Sequence, residues 1–278
     1  MIGVKTTAAC VAAIVFSVGT RSAGLAEDYN PKIDPADFTT NITNPYFSLP
    51  VGKKIVFESR KGNGVEKTEI QITGEKRQVM GIETLVYWDR VWLNDNLIED
   101  TRDYLAQDKD GNVWYFGEDV KNYVGGKLSN RAGSWLAGAD GAKPGIWFKA
   151  NPRVGDKYRQ EYYRGKAEDM AEVVAVGETV TIKRGTYKNC VKTYDWTPLE
   201  PNAKEHKYYC PEVGGLALIV DLQSGARTEL VEVGNNAVKS GHAAGMSKVL
   251  GAERPEGLGA GKAGKRDGKT DDEDEDER

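Results

Sequence analysis

Residues 83–119 read ETLVYWDRVWLNDNLIEDTRDYLAQDKDGNVWYFGED, and the way this run divides decides the fold. Val, Ile, Thr, Tyr and Trp dominate it, and no 3.6-residue apolar period can be laid over it. Turn residues interrupt it at Asn94, Asp95 and Asn96 and again over Asp108–Gly111, so it reads as three antiparallel strands in a meander. The second turn is the informative one. Asp first and Gly fourth mark a type I turn, with Gly111 left-handed as a bulge. That loop pairs Asp108 with Asn112 and places Trp114 opposite Ala106, Phe116 opposite Tyr104 and Glu118 opposite Arg102. A register one residue away would set Asp103 against Glu118. Like charges directly opposed are destabilising unless a cation sits between them, so the first register is expected.

Asp108, Asp110 and Asn112 also alternate oxygen-bearing side chains as a calcium loop does. A helix-loop-helix calcium site, however, needs a twelve-residue loop with Gly sixth and a bidentate Glu last. Here Gly111 is fourth and strand residues follow at once, so the hairpin is the preferred reading. If calcium binds, Asp108, Asp110 and Asn112 are the ligands, with Asp100 or Asp103 in support.

Outward from this stretch the same texture continues. KKIVFES and VEKTEIQIT flank RKGNG as a hairpin. DKYRQEYYR, MAEVVAVG, ETVTIK, TYKNCVKTYDW, EHKYYC, GLALIVDL and ARTELVEV follow with short connections. More than a dozen strands imply an all-β fold. A large antiparallel sheet twists, so it must curl or split into layers. A curved sheet or open half-barrel is expected, with a β-sandwich as the alternative. NPYFSLPVG, carrying Pro45 and Pro50, is expected as an extended lead-in outside the sheet.

The ends differ in kind. Lys5 precedes an apolar run too short to span a bilayer, and small residues close it at Ala26, so residues 1–26 read as a cleaved export signal. Cys10 lies inside the apolar run, too early to be a lipidated residue. No other segment is apolar enough for a membrane helix. Residues 27–234 form one β-rich domain, long enough for a real core. Residues 235–278 are Gly-rich, lack aromatics and end in seven acidic residues before Arg278, the composition of a disordered tail. Export predicts a periplasmic or secreted protein. The net charge of −4 argues against a nucleic-acid partner.

Of the three cysteines, Cys190 and Cys210 survive signal removal and lie equidistant from Glu200. An even pair in an exported chain reads as a disulfide, and the same hairpin register sets Tyr194 opposite His206. The chain has two histidines, His206 and His242. A multi-histidine zinc site is therefore excluded, and His206 has no nucleophile elbow to serve. No phosphate loop or dinucleotide fingerprint is present. Carboxylates remain as reactive groups, in clusters at Glu99, Asp100 and Asp103, at Glu168, Asp169 and Glu172, and at Asp195 with Glu205. Such a pair could run glycoside hydrolysis, but 42 acidic residues make chance clusters common. Trp88, Trp92, Tyr162 and Tyr163 could grip an apolar ligand or sugar, or pack in the core.

Four stretches, NPYFSLPVG, AQDKDGNVWYFGED, YRGKAEDMAEV and TPLEPNAKEHKYYCPEVGG, together resemble a group of exported bacterial β-sheet proteins, some of them lipid-anchored. The likeness runs over residues 37–233. The final third, from TVTIKRGTYKNCVKT to KYYCPEVGGLALIV, is similar in style to periplasmic half-barrel families. The resemblance implies an all-β envelope protein and brings no activity or functional residue. The expectation is a non-catalytic protein binding a small, amphiphilic or envelope ligand without a cofactor. A carboxylate-based hydrolase, calcium-assisted or not, is the alternative.

Overall fold

The computed structural model describes residues 29–62 and 64–235. The expected signal at 1–26 lies outside these residues, as does the tail expected at 235–278 apart from Asn235, which ends the last strand. The chain forms one 17-stranded sheet, with a second sheet of two short strands. All the ladders are antiparallel, as the meandering text implies. The three strands of the opening stretch are Ile82–Leu93, Asn96–Asp108 and Val113–Val124. Asn94 and Asp95 take left-handed φ values of 48° and 64°, the two-residue turn that matches strand twist.

The sheet curls until it nearly closes, further than the open half-barrel expected from sequence. Arg227–Asn235 pairs with Lys53–Lys61, joining the last strand to the first long one. At the other seam, Lys143–Phe148 pairs with Val113–Val124 on one side and Glu161–Tyr162 on the other. Lys157–Arg159 pairs with Met170–Ile182. The segment 157–162 thus bridges the gap. Gly145 is required there, because a Cβ on it would lie 2.2 Å from the Gln160 carbonyl oxygen. Closure removes the exposed edges that an open sheet of this size would leave.

The 108–111 turn is as expected: the Asp108 N–H donates to the Asn112 carbonyl at 2.9 Å, and Gly111 has φ 88°. Ala106 faces Trp114. The register then departs from expectation. A bulge at Phe116–Gly117 shifts the ladder by one, so Arg102 faces Asp119 and Asp103 faces Glu118. The facing pairs Phe116–Tyr104 and Glu118–Arg102 do not form. Gly117, at φ 130°, lets the short strand Trp135–Leu136 approach so closely that a Cβ would sit 2.4 Å from the Trp135 carbonyl oxygen. An extra residue in a period-two strand flips every later side chain to the other face. Val113 and Tyr115 are buried before the bulge, Glu118, Val120 and Asn122 after it.

NPYFSLPVG stays outside the main sheet but is more than a lead-in. Thr43–Asn44 and Phe47–Ser48 pair as a small hairpin. The buried Gln107 Oε1 accepts from the Thr43 and Asn44 amides at 2.8 and 2.9 Å. Phe47, 4 % exposed, inserts among Tyr87, Trp147 and Tyr209, with ring centroids 5.7–6.5 Å away. The segment plugs the sheet's interior with an aromatic side chain.

Cys190 and Cys210 form a disulfide. The ladder of Gly185–Thr197 with Glu200–Cys210 includes Tyr194 opposite His206 and Val191 opposite Tyr209, so the disulfide is the next rung.

Candidate functional site

Alternation along the closed sheet sorts side chains into two populations. On Ile82–Leu93, Trp88, Arg90 and Trp92 lie half-buried on the outer face, and Trp88 packs against the core. The Arg90 guanidinium stacks 4.0 Å from the Trp88 ring centroid and 5.3 Å from that of Trp92. Tyr87, Asp89 and Val91 face inward and are buried. The same rule sends Glu66 and Thr68 inward from Gly64–Gln71, and Glu99, Thr101 and Asp103 from Asn96–Asp108. Glu118 joins them only because of the Gly117 bulge.

The interior encloses a cavity of about 60 Å³, room for several water-sized groups. Phe47, Tyr87, Tyr115 and Trp147 form an aromatic wall, with Tyr115 and Trp147 edge to face at 4.6 Å. Asp89, Glu161, Asp169 and Lys207 supply the charged part of the lining.

Eight carboxylates among the described residues are buried: Glu66, Asp89, Glu99, Asp103, Glu118, Glu161, Asp195 and Asp221. The buried cations among the described residues are Lys53 and Lys207. Lys53 donates to the Ser48 and Gly214 carbonyls at 2.6 and 2.9 Å, and burial pulls its pKa down to about 8. Lys207 lies 3.0 Å from Asp195 and 3.7 Å from Glu205. Burial disfavours its charge, but these two carboxylates hold the ammonium well above its usual pKa.

Burial and mutual repulsion work in one direction on Asp89 and Glu118. Asp89 is pushed well above the carboxylate range by burial, then by Asp103 and Glu99. Glu118 is pushed well up by burial and by Glu161 and Asp103. Asp103 is pushed up to about 7 by burial, although the Tyr115 hydroxyl donates to it at 2.6 Å. Glu205 likewise rises to about 7 through burial. The like-charge pair that charge repulsion argued against is tolerated because it can hold protons.

Residues singled out in the sequence are dispersed. Asp108 Oδ1 accepts from the Asp110 and Asn112 amides, and Oδ2 from Asn112 Nδ2 and Trp114 Nε1 at 2.7–2.8 Å. Asn112 Oδ1 accepts from the Ala150 amide. These oxygens build the turn, and no group of three His, Cys, Asp or Glu among the described residues is arranged to hold a metal ion. Asp100 faces outward to Arg102, and Glu172 pairs outside with Lys157. Glu168 accepts from the Gly165 amide in its loop. His206 rests against Tyr194, 6.0 Å between rings, on the strand face opposite Lys207. One or two members of each acidic cluster do face the interior: Glu99 and Asp103, Asp169, and Asp195. Asp89 and Glu161 were not singled out, and Glu118 was expected opposite Arg102. A glycine inside the strand at position 117 is the signal that could have revealed the flip of Glu118.

The chain matches no protein-family model and no curated protein. Among solved structures it is similar to a candidate lipoprotein from Parabacteroides distasonis, with a TM-score of 0.38 and 15 % identity, over 68 % of this chain and 98 % of that one.

Proposed function

We propose that the protein is an exported, non-catalytic binding protein that takes a small ligand into the interior of its sheet. The observation that carries this reading is the cavity itself, where Phe47, Tyr87, Tyr115 and Trp147 face Asp89, Glu161 and Lys207. An apolar wall with a few placed polar groups is the usual composition of a ligand pocket. The Cys190–Cys210 disulfide supports an oxidising compartment, hence the periplasm or the exterior. No helix among the described residues is long and apolar enough to cross a membrane. The test is native mass spectrometry of protein purified from its host, compared with the denatured chain. A small molecule released on denaturation is expected, and it should be missing from Tyr87→Trp, which narrows the cavity. Identical masses in both states, with no probe shifting Trp147 fluorescence, would end the reading.

A carboxylate-based hydrolase is the second reading, favoured by Asp89, Glu161 and Asp169 lining one cavity. It requires turnover of a glycoside that Glu161→Gln abolishes, and it fails if purified protein turns over none.

A further inference from the structure

We infer that the ligand is an organic ammonium ion bearing N–H donors, with its charge against Asp89 and its carbon chain along the aromatic wall. This rests on the binding reading above and names the chemistry of its ligand. Asp89 lines the cavity at 8 % exposure, and its Oδ1 is buried with no hydrogen-bond partner. Glu118 is 3 % exposed, and neither carboxyl oxygen has a hydrogen-bond partner. Glu118 does not line the cavity, but Glu161 and Asp169, which do, act on it by their charge. Buried acceptors left unmatched are rare in native interiors, and the Asp89 oxygen is one at the cavity wall.

The protein's own cations do not answer it. Lys53 is bonded to backbone carbonyls and Lys207 to Asp195 and Glu205. A bare metal ion is disfavoured by the absence of a ligand group among the described residues. The rings of Tyr87, Tyr115 and Trp147 favour an organic cation, through the negative faces of their π systems. Unmatched acceptors call for donors, which a primary ammonium has and a quaternary one lacks.

Binding should exchange with protons. The charges of Glu66 on Gly64–Gln71 and of Glu99, Asp100 and Asp103 on Asn96–Asp108 all act on Asp89. Those of Glu99, Asp103, Glu161 and Asp169 act on Glu118. Lys207, lining the same cavity from Glu200–Cys210, is held by its own pair. Burial and this like charge favour the protonated Asp89 carboxyl when the cavity is empty. An arriving ammonium must displace a proton, so affinity rises with pH by about tenfold per pH unit for one proton released.

Calorimetric titration of the full chain with butylamine, butanol and tetramethylammonium tests the inference, at pH 6, 7 and 8 in two buffers of different ionisation enthalpy. Saturable butylamine binding is expected, at least about tenfold tighter than either analogue, with proton release. Asp89→Asn should weaken butylamine about tenfold or more, and Asp89→Ser is the second variant should the first not fold. Butanol binding as well as butylamine would overturn the inference and leave the binding reading intact, as would unchanged butylamine affinity in both variants. If none of the three probes binds and a neutral amphiphilic dye does enter, the ammonium assignment alone falls. If the dye is excluded as well, the binding reading falls with it.

Discussion

Gly111 shows what a single backbone requirement controls. Its φ of 88° lies in the left-handed region, and a Cβ would meet that of Ala150 at 3.3 Å. Gly111→Val should therefore cost about 1–2 kcal/mol in urea unfolding, because a β-branched residue resists that conformation. Asp110→Asn should be nearly neutral, since what Asp110 gives the turn is its backbone amide, donating to Asp108. Were these residues kept for calcium, the order would reverse. Melts of wild type and both variants with calcium and with chelator separate the two cases. A calcium-dependent stabilisation lost in Asp110→Asn would reassign the turn as a cation site. Gly117 sets a stricter condition, as a Cβ there would press on backbone: 2.4 Å from the Trp135 oxygen and 2.8 Å from the Leu136 Cα. Gly117→Ala should cost at least about 2 kcal/mol, beyond the range of an ordinary surface substitution. An unchanged urea midpoint would mean that the bulge is not needed.

At the scale of the element, the hairpin 185–210 was legible from its cysteines. Their equal distance from Glu200 implied one register, and Tyr194 does face His206. The disulfide closes a sequence separation of 20 residues. In the chain-entropy account, removing it costs about 3 kcal/mol. Reduction should then lower the melting temperature by roughly 6–12 °C for a domain of this size. A shift under about 2 °C would place the stability of this hairpin in its ladder and packing alone. The neighbouring meander was legible only as far as Leu105, where the bulge begins. Charge repulsion was the correct force to weigh, but its strength depends on protonation, and protonation depends on burial that a single hairpin does not reveal.

Over the whole molecule, the acid-lined interior makes stability depend on pH in a definite direction. Asp89, Asp103 and Glu118 have raised values, so the native state binds more protons than the unfolded chain above the usual carboxyl range of about 4. Stability must fall as pH rises from there through the Asp103 value of about 7 and beyond. Glu69, Asp156 and Glu229 have lowered values, with burial outweighed by cationic and amide partners, so their contribution is lost below about 4.5. Lys53, lowered to about 8, adds stability only as pH rises above that value. The melting temperature of ligand-free protein should therefore peak near pH 5 and drop towards pH 8. The loss should reach a few kcal/mol, since each tenfold change in a group's proton affinity on folding is worth about 1.4 kcal/mol. Asp103→Asn should flatten the slope. A melting temperature that climbs from pH 5 to 8 would contradict the buried network. Phe47→Ala, which empties the plug, should cost about 3–5 kcal/mol.

The text of alternating apolar and polar residues determined the all-β class, the hairpins at 94–95 and 108–111 and the disulfide. Each rests on interactions within about twenty residues, and local sequence carries those in full. What it could not specify is which face of each strand looks inward. That depends on the curl of the whole sheet, on a bulge admitted by Gly117 to let Trp135 approach, and on a plug that brings Phe47 into the interior. A period-two strand offers two faces of equal standing until the sheet closes. The choice between them turned Asp89, Asp103 and Glu118 from surface acids into buried ones whose pKa values burial raises, and that choice was made by tertiary structure alone.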